Sequence, residues 1–177
     1  SNRETNGTGG GTLNTSDKPI FKIEEVLLNY AEAMYELGTT GKAMDDALNI
    51  SLNLVRLRVN PDMPKLTTSF ASENSLNMRE EIRRERTIEL YNEGFRVDDL
   101  KRWNTAIVEM PKPILGVKWT GTDFATSWAG ASNMAKDSDG CLILENSRRW
   151  GSKNDLYPLP VDQCQLNPNL GQNPGWQ

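Results

Sequence analysis

The segment 78–103 constrains the fold most, because it carries charges where an amphipathic helix normally has its apolar stripe. Apolar positions begin at Met78 and Ile82, and Glu85 and Arg86 then interrupt them. Buried ion pairs add little net stability but can enforce one geometry. We therefore expect ion pairs to tie this charged helix to one specific packing partner.

The apolar spacing upstream of this segment predicts two helices that form an antiparallel pair. The first runs from Ile20 to a glycine stop at Gly38, with Asp17 as its start signal, and the second runs from Lys42 to Val59. The pair resembles a tetratricopeptide-type hairpin, a unit that needs neighbouring helices to cover its faces.

Further along the chain, Asn77 is expected to cap a helix that begins at Met78 and stops at Gly94. A shorter helix is predicted at Phe95–Ala106, and prolines close the helical part soon afterwards.

Residues 111–177 differ in composition, being rich in Pro, Gly, Asn and Ser and holding four of the five Trp residues. A short strand is predicted at 141–144 and one helical turn at 161–166. The expected fold is mainly α, with tetratricopeptide-like helical hairpins followed by an irregular, loop-rich region with few short strands. We expect a flexible linker or cut end at 1–18, a helical region at 19–110, and the region 111–177 packed on those helices in the same domain.

Composition narrows the possible functions. The chain has 24 acidic and 20 basic residues and a net charge of -4, which argues against a nucleic-acid partner. It has no His, which excludes Ser-His and Cys-His nucleophile pairs and most catalytic zinc sites. No apolar run reaches the roughly 20 residues of a membrane span.

Metal and disulfide chemistry receive little support from the sequence. Asp137–Gly140 resembles part of a calcium loop, but Ala135 stands at the first ligand position and Asn146 at the last. An acidic turn is the simpler interpretation, so neither a metal nor a cofactor is expected. The two cysteines, Cys141 and Cys164, could form a disulfide or remain buried thiols.

Four blocks in order resemble the SusD/RagB family: 25–33, 52–58 followed by Pro64, 84–103, and 156–175. The family commonly has Arg-Tyr-Ala before the first block, where this chain has Lys22-Ile23-Glu24. The chain resembles the C-terminal third of such a protein. The resemblance implies a nutrient-binding lipoprotein at the outer-membrane surface of a Gram-negative bacterium, with its lipid anchor on the absent N-terminal part.

The resemblance also implies three partners: an oligosaccharide or other nutrient, a SusC-like TonB-dependent transporter, and the N-terminal part of the same protein. Within the matched blocks, five residues are expected to form an ion-paired corner covered by an indole ring, namely Arg84, Glu89, Arg96, Asp99 and Trp103.

Ligand binding is expected in the irregular segment 112–155, because sugar sites combine flat aromatic rings with amides, carboxylates and Arg. Loops also carry binding residues more often than regular elements do. The candidate ligand-binding residues are Trp119, Asp123, Phe124, Trp128, Asn133 and Arg148. By contrast, Trp150 is assigned to packing and Trp176 to the chain terminus.

The leading hypothesis is a non-catalytic surface protein that binds oligosaccharides or related nutrients and delivers them to the transporter. One alternative is a glycoside hydrolase, which needs two carboxyl groups about 5–10 Å apart on a rigid cleft. The other is a helical adaptor of the tetratricopeptide type that binds a protein.

Overall fold

The computed structural model describes residues 20–176 and divides into two compact units on either side of the Gly94–Phe95 peptide bond. The linker predicted at 1–18 and the helix start predicted at Asp17 lie outside the described residues. That residues 19–110 and 111–177 form a single domain stays a prediction.

The first unit is built from helices, and the predicted mainly α fold is confirmed. Its helices are α1 (Ile23–Glu36), α2 (Gly41–Asn49), α3 (Leu52–Val59), α4 (Thr68–Glu73) and α5 (Met78–Glu89). Helix α1 packs against α2 and α3 as one hairpin, and α5 packs against both α1 and α3. The charged helix therefore supplies a neighbour that the hairpin needs.

The prediction of one continuous helix from Lys42 to Val59 is wrong, because the chain breaks between α2 and α3. At the break, Ser51 has φ -136° and ψ -101°, and its hydroxyl donates to the Ala47 carbonyl oxygen at 2.5 Å. A serine side chain that takes a backbone carbonyl in this way competes with the helical hydrogen bonds. The short helix α4 was not predicted; Thr67 caps it by accepting the Phe70 amide hydrogen at 3.1 Å.

The packed face of α1 holds only some of its apolar side chains. Leu28 and Ala31 are fully buried, whereas Ile23, Val26 and Tyr30 are exposed. Apolar side chains thus follow the solvent face of α1 as well as its packed face.

A buried asparagine fixes the loop after α3. Asn53 donates from Nδ2 to the Leu66 carbonyl oxygen at 2.9 Å, and its Oδ1 accepts the Leu66 amide hydrogen at 2.7 Å. Both residues are fully buried, so the side chain satisfies two backbone groups that water cannot reach.

Helix α5 carries its charges on its packed face, as predicted. Ile82, Glu85 and Arg86 are buried, and the Nε of Arg56 on α3 lies 3.4 Å from Oε1 of Glu85. Burial raises the pKa of the Glu85 carboxyl, and the nearby Arg56 guanidinium partly opposes that rise. Arg86 donates to Oδ1 of Asn29 on α1 at 2.7 Å, so charged side chains of α5 contact both members of the hairpin.

The N-terminus of α5 is capped as the sequence predicted. Oδ1 of Asn77 accepts the amide hydrogens of Arg79 at 3.0 Å and of Glu80 at 3.3 Å. Two of the orphan amide groups that begin every helix are therefore satisfied.

The second unit combines short helices with one antiparallel strand pair. Its elements are α6 (Arg96–Arg102), α7 (Ala106–Glu109), β1 (Ile114–Lys118), α8 (Phe124–Ser127), β2 (Cys141–Glu145) and α9 (Val161–Leu166). Two 3₁₀ turns lie at Ala129–Ala131 and Ser152–Asp155. Strands β1 and β2 pair with Lys118 opposite Cys141 and Ile114 opposite Glu145.

The sequence predicted several of these elements. The strand at 141–144 and the helical turn at 161–166 are confirmed. The helix predicted at Phe95–Ala106 is too long, because α6 ends at Arg102 and Asn104 then adopts φ 56°. Cys141 and Cys164 are free thiols in the structure. Within residues 20–176, no helix is both long enough and apolar enough to span a bilayer.

Replacing Asn53 with Ala should lower the free energy of unfolding by about 2–4 kcal/mol, because the Leu66 amide and carbonyl groups would be buried without partners. Chemical denaturation followed by far-ultraviolet circular dichroism measures this loss. The matched control is Asn60→Ala at an exposed asparagine with one backbone hydrogen bond, which should cost less than about 1 kcal/mol. Equal losses in the two variants would contradict the structural role of Asn53.

Glu85 should make stability depend on pH. Its folded-state pKa lies above the ordinary value of 4.5, so its favourable contribution is present below that value and is lost as pH rises through the folded-state pKa. The unfolding free energy of the unmodified protein, relative to Glu85→Gln, should therefore fall as pH rises across this window. Denaturation at a series of pH values measures the difference.

Glu80→Gln is the control for this pH series, since Glu80 lies on the same helix but is exposed. It should leave the pH profile of the unmodified protein unchanged. A constant difference between the unmodified protein and Glu85→Gln at all pH values would refute the assignment.

Candidate functional site

The short helix α8 brings three of the predicted ligand-binding residues together. Asp123 precedes the helix, Phe124 begins it, and Trp128 ends it by donating its amide hydrogen to the Phe124 carbonyl oxygen at 2.9 Å. Phe124 is 48% exposed and Trp128 is 59% exposed. Within residues 20–176 the Asp123 carboxylate has no hydrogen-bond or ion-pair partner. One turn of chain thus displays two aromatic rings and an unengaged carboxylate.

The indole of Trp119 occupies a different environment. It is only 5% exposed and packs in a small core with Ala131 and Leu142. The backbone amide of Trp119 donates its hydrogen to the Gly140 carbonyl oxygen at 2.8 Å. The Lys136 ammonium lies 5.8 Å from the centroid of the indole ring. Trp119 therefore supports the loop that carries α8 and offers little surface of its own.

Gly140 must remain glycine for this packing to form. Its φ is +81°, and a Cβ atom at this position would lie 2.5 Å from the Cβ of Thr120. The adjoining Asp137 accepts the amide hydrogens of Asp139 and Cys141, which makes the segment a hydrogen-bonded turn before β2.

The remaining two candidates differ in their availability. Asn133 is exposed, and its side-chain amide has no hydrogen-bond partner among the described residues. Arg148 lies beyond β2, donates to the Lys112 carbonyl oxygen at 2.5 Å, and has its Nε 3.4 Å from Oε2 of Glu145. The Arg148 guanidinium is therefore engaged within the protein. Two hydrogen bonds from Ser147 also lower the pKa of the Glu145 carboxyl.

The five residues predicted to form the ion-paired corner fall in both units. In the first unit, Arg84 pairs with Glu81 at 2.8 Å, and Glu89 accepts from Arg58 at 2.7 Å.

In the second unit, Asp99 is buried and accepts from Arg102 at 2.9 Å. The guanidinium carbons of Arg96 and Arg102 lie 5.9 and 4.9 Å from the Trp103 ring centroid. Each of the five therefore has a partner in its own unit, and the single corner stays a prediction.

The second unit also contains a groove that the sequence did not predict. It is lined by Trp150, Tyr157 and Trp176, and we call it the aromatic groove. Its volume is about 220 Å³, and Lys101 and Asn154 also line it. These residues come from three separate parts of the chain, so their spacing gives no local signal. The only hint in the sequence is that Trp150 and Trp176 flank the segment 156–160.

The architecture is that of a helical-hairpin protein with a loop-rich region that carries aromatic side chains. A model of the SusD family matches residues 1–176, and the chain belongs to that family. No curated protein matches it significantly.

Solved structures agree with this assignment. A SusD-like protein from Bacteroides fragilis is 28% identical to this chain, with a TM-score of 0.58. The match covers 86% of this chain and 24% of that one. The structure of BT4246 is 26% identical with a TM-score of 0.67, and the match covers 94% of this chain and 25% of that one. Its selenomethionine form is also 26% identical, with a TM-score of 0.66 and coverage of 94% and 26%. The chain spans about a quarter of the length of these structures.

Alanine substitution should change the free energy of unfolding by different amounts at the two tryptophans of the predicted site. Trp119→Ala should lower the free energy of unfolding by about 3–5 kcal/mol, because it leaves a cavity beside Ala131 and Leu142. Trp128→Ala should change it by less than about 1 kcal/mol, because the ring is largely in solvent. Urea denaturation followed by the fluorescence of the four remaining tryptophans, which all lie in the same unit, tests this, and a larger loss in Trp128→Ala would reverse the assignment.

Proposed function

We propose that this chain is part of a non-catalytic surface protein that binds oligosaccharides or related nutrients. The proposed protein delivers its ligand to a SusC-like TonB-dependent transporter of the outer membrane. The single observation that carries the proposal is membership of the SusD family over residues 1–176. Location at the cell surface, a lipid anchor and partnership with the N-terminal part of the same protein belong to the same proposal.

The surface around α8 supports a sugar as the ligand. A pyranose ring has an apolar C–H face and a polar edge of hydroxyl groups, and flat aromatic rings complement that face. Phe124 and Trp128 offer exposed rings within one turn, and the Asp123 carboxylate can accept hydrogen bonds from hydroxyl groups. The exposed amide of Asn133 adds both donors and an acceptor nearby in the sequence.

Binding without catalysis fits the carboxyl groups better than hydrolysis does. A glycosidase uses a carboxylic acid with a raised pKa that reaches the glycosidic oxygen. Glu85 has a raised pKa, but it is 7% exposed and lies beside Arg56 between helices. It has no access to a substrate, so its pKa reflects packing.

Calorimetric titration against plant, host and microbial oligosaccharides tests the proposal. The unmodified protein should bind at least one neutral oligosaccharide, and Trp128→Ala should weaken that binding about 5- to 30-fold, which corresponds to about 1–2 kcal/mol. Phe124→Ala should weaken it to a smaller extent, because a phenyl ring offers less stacking area than an indole.

Tyr91→Ala is the matched control, since Tyr91 is an exposed aromatic residue of the first unit. It should bind as the unmodified protein does. Absence of binding by the folded protein across the whole panel would falsify the proposed function, and unchanged binding by Trp128→Ala would remove α8 from the site.

A further inference from the structure

The aromatic groove has features of a second binding site. Internal hydrogen bonds hold two of its rings: Trp150 donates from Nε1 to Oδ1 of Asp155 at 3.0 Å, and Trp176 donates from Nε1 to the Lys153 carbonyl oxygen at 2.7 Å. The polar edges of both indoles are therefore satisfied within the protein. What these rings offer to a ligand is the apolar face that neighbouring ammonium groups leave uncovered. Nζ of Lys101 lies 5.7 Å from the Trp150 ring centroid, and Nζ of Lys153 lies 4.9 Å from the Trp176 ring centroid.

The backbone around the groove is also fixed. Gln172 accepts the Leu159 amide hydrogen at 2.7 Å and donates to the Leu159 carbonyl oxygen at 2.8 Å, and Asn173 donates to the Tyr157 carbonyl oxygen at 2.6 Å. Side-chain amides thus join the segment that carries Tyr157 to the one that precedes Trp176. A groove held in this way is pre-organised, which lowers the entropic cost of binding.

The ammonium of Lys101 gives the groove its charge. Its Nζ lies 4.0 Å from the Tyr157 ring centroid and 5.7 Å from the Trp150 centroid. Among residues 20–176 it has no carboxylate partner within ion-pair distance, and its ammonium contacts the faces of two rings. An ammonium held beside aromatic rings can still form a charge-assisted hydrogen bond with an incoming anion.

Asn154 adds a second donor. Its Oδ1 accepts the Gly151 amide hydrogen at 2.9 Å, which leaves its Nδ2 group without an acceptor in the described part of the chain. The groove therefore combines aromatic faces with two donors that have no hydrogen-bond acceptor among the described residues, one of them cationic. A ligand that matches this set has a flat apolar face and a carboxylate on the same small ring.

We propose that the aromatic groove binds an acidic sugar, with a uronic acid ring stacked against the aromatic side chains and its carboxylate paired with Lys101. A volume of about 220 Å³ is below the range of about 300–1,000 Å³ typical of pockets for larger ligands, so it suits one sugar ring. The inference rests on the proposed function, because it specifies an acidic member of the oligosaccharide class. It adds a site separate from α8 in sequence and in its lining residues.

Calorimetric titration with tri-galacturonate at low ionic strength tests the site, with its neutral methyl ester as the matched ligand. Lys101→Gln should weaken tri-galacturonate binding about tenfold, because the charge-assisted hydrogen bond is lost. The unmodified protein should bind the methyl ester more weakly than the acid. Its affinity for the ester should equal that of Lys101→Gln. Lys101→Arg should restore most of the affinity for the acid.

Two further variants control for charge and packing. Lys118→Gln removes an exposed charge from the same unit and should leave binding unchanged. Tyr157→Ala should weaken both the acid and the ester, since this ring is 72% exposed and its loss removes stacking surface at little cost in stability.

Four results would overturn the inference: no binding of tri-galacturonate, equal affinity for its ester, unchanged binding by Lys101→Gln, or equal affinity for tri-glutamate. The last would identify an acidic peptide as the ligand. Loss of neutral-glycan binding in Trp128→Ala, together with no binding of tri-galacturonate, would support the proposed function and reject the acidic site. Lys101-dependent binding of the acid without any neutral binding through Trp128 would support the groove and reject α8.

Discussion

The buried contact between Arg56 and Glu85 determines how the helices of the first unit can pack. Both side chains are buried, and Nε of Arg56 lies 3.4 Å from Oε1 of Glu85, so sliding α3 along α5 would separate two buried polar groups. The Arg86–Asn29 hydrogen bond extends the constraint to α1. Apolar contacts alone would permit neighbouring registers of similar energy, whereas misplaced buried charges would not.

The sequence predicted which long segments form helices, but it predicted only some of the helix ends and interruptions. Asn77 caps α5 as expected, because a side chain two or three residues from its partner amides acts locally. The helix break at Ser51 was not predicted, because the apolar spacing continues across it. The hydrogen bond from the Ser51 hydroxyl to the Ala47 carbonyl oxygen redirects the backbone there. Helix α4 has six residues, too few to establish an apolar period.

Site residues were harder to predict, because the sequence does not reveal which aromatic rings are covered. Trp119 and Trp128 have similar loop surroundings in the sequence. In the structure, however, Trp119 packs against Leu142, whereas Trp128 is exposed to solvent. The sequence pattern made Arg148 a ligand candidate, but in the folded chain its guanidinium donates to the Lys112 carbonyl oxygen. Lys101 could not be connected with Trp150, Tyr157 and Trp176, because only the folded chain brings them together.

All five tryptophans lie in the second unit, and the helical hairpin lies in the first. The two units therefore have different spectroscopic reporters: indole emission follows the loop-rich unit, while ellipticity at 222 nm is dominated by the long helices of the other. A denaturation curve recorded by fluorescence alone follows the unit that does not contain the Arg56–Glu85 contact. Agreement or disagreement between the two signals measures how cooperatively the units unfold.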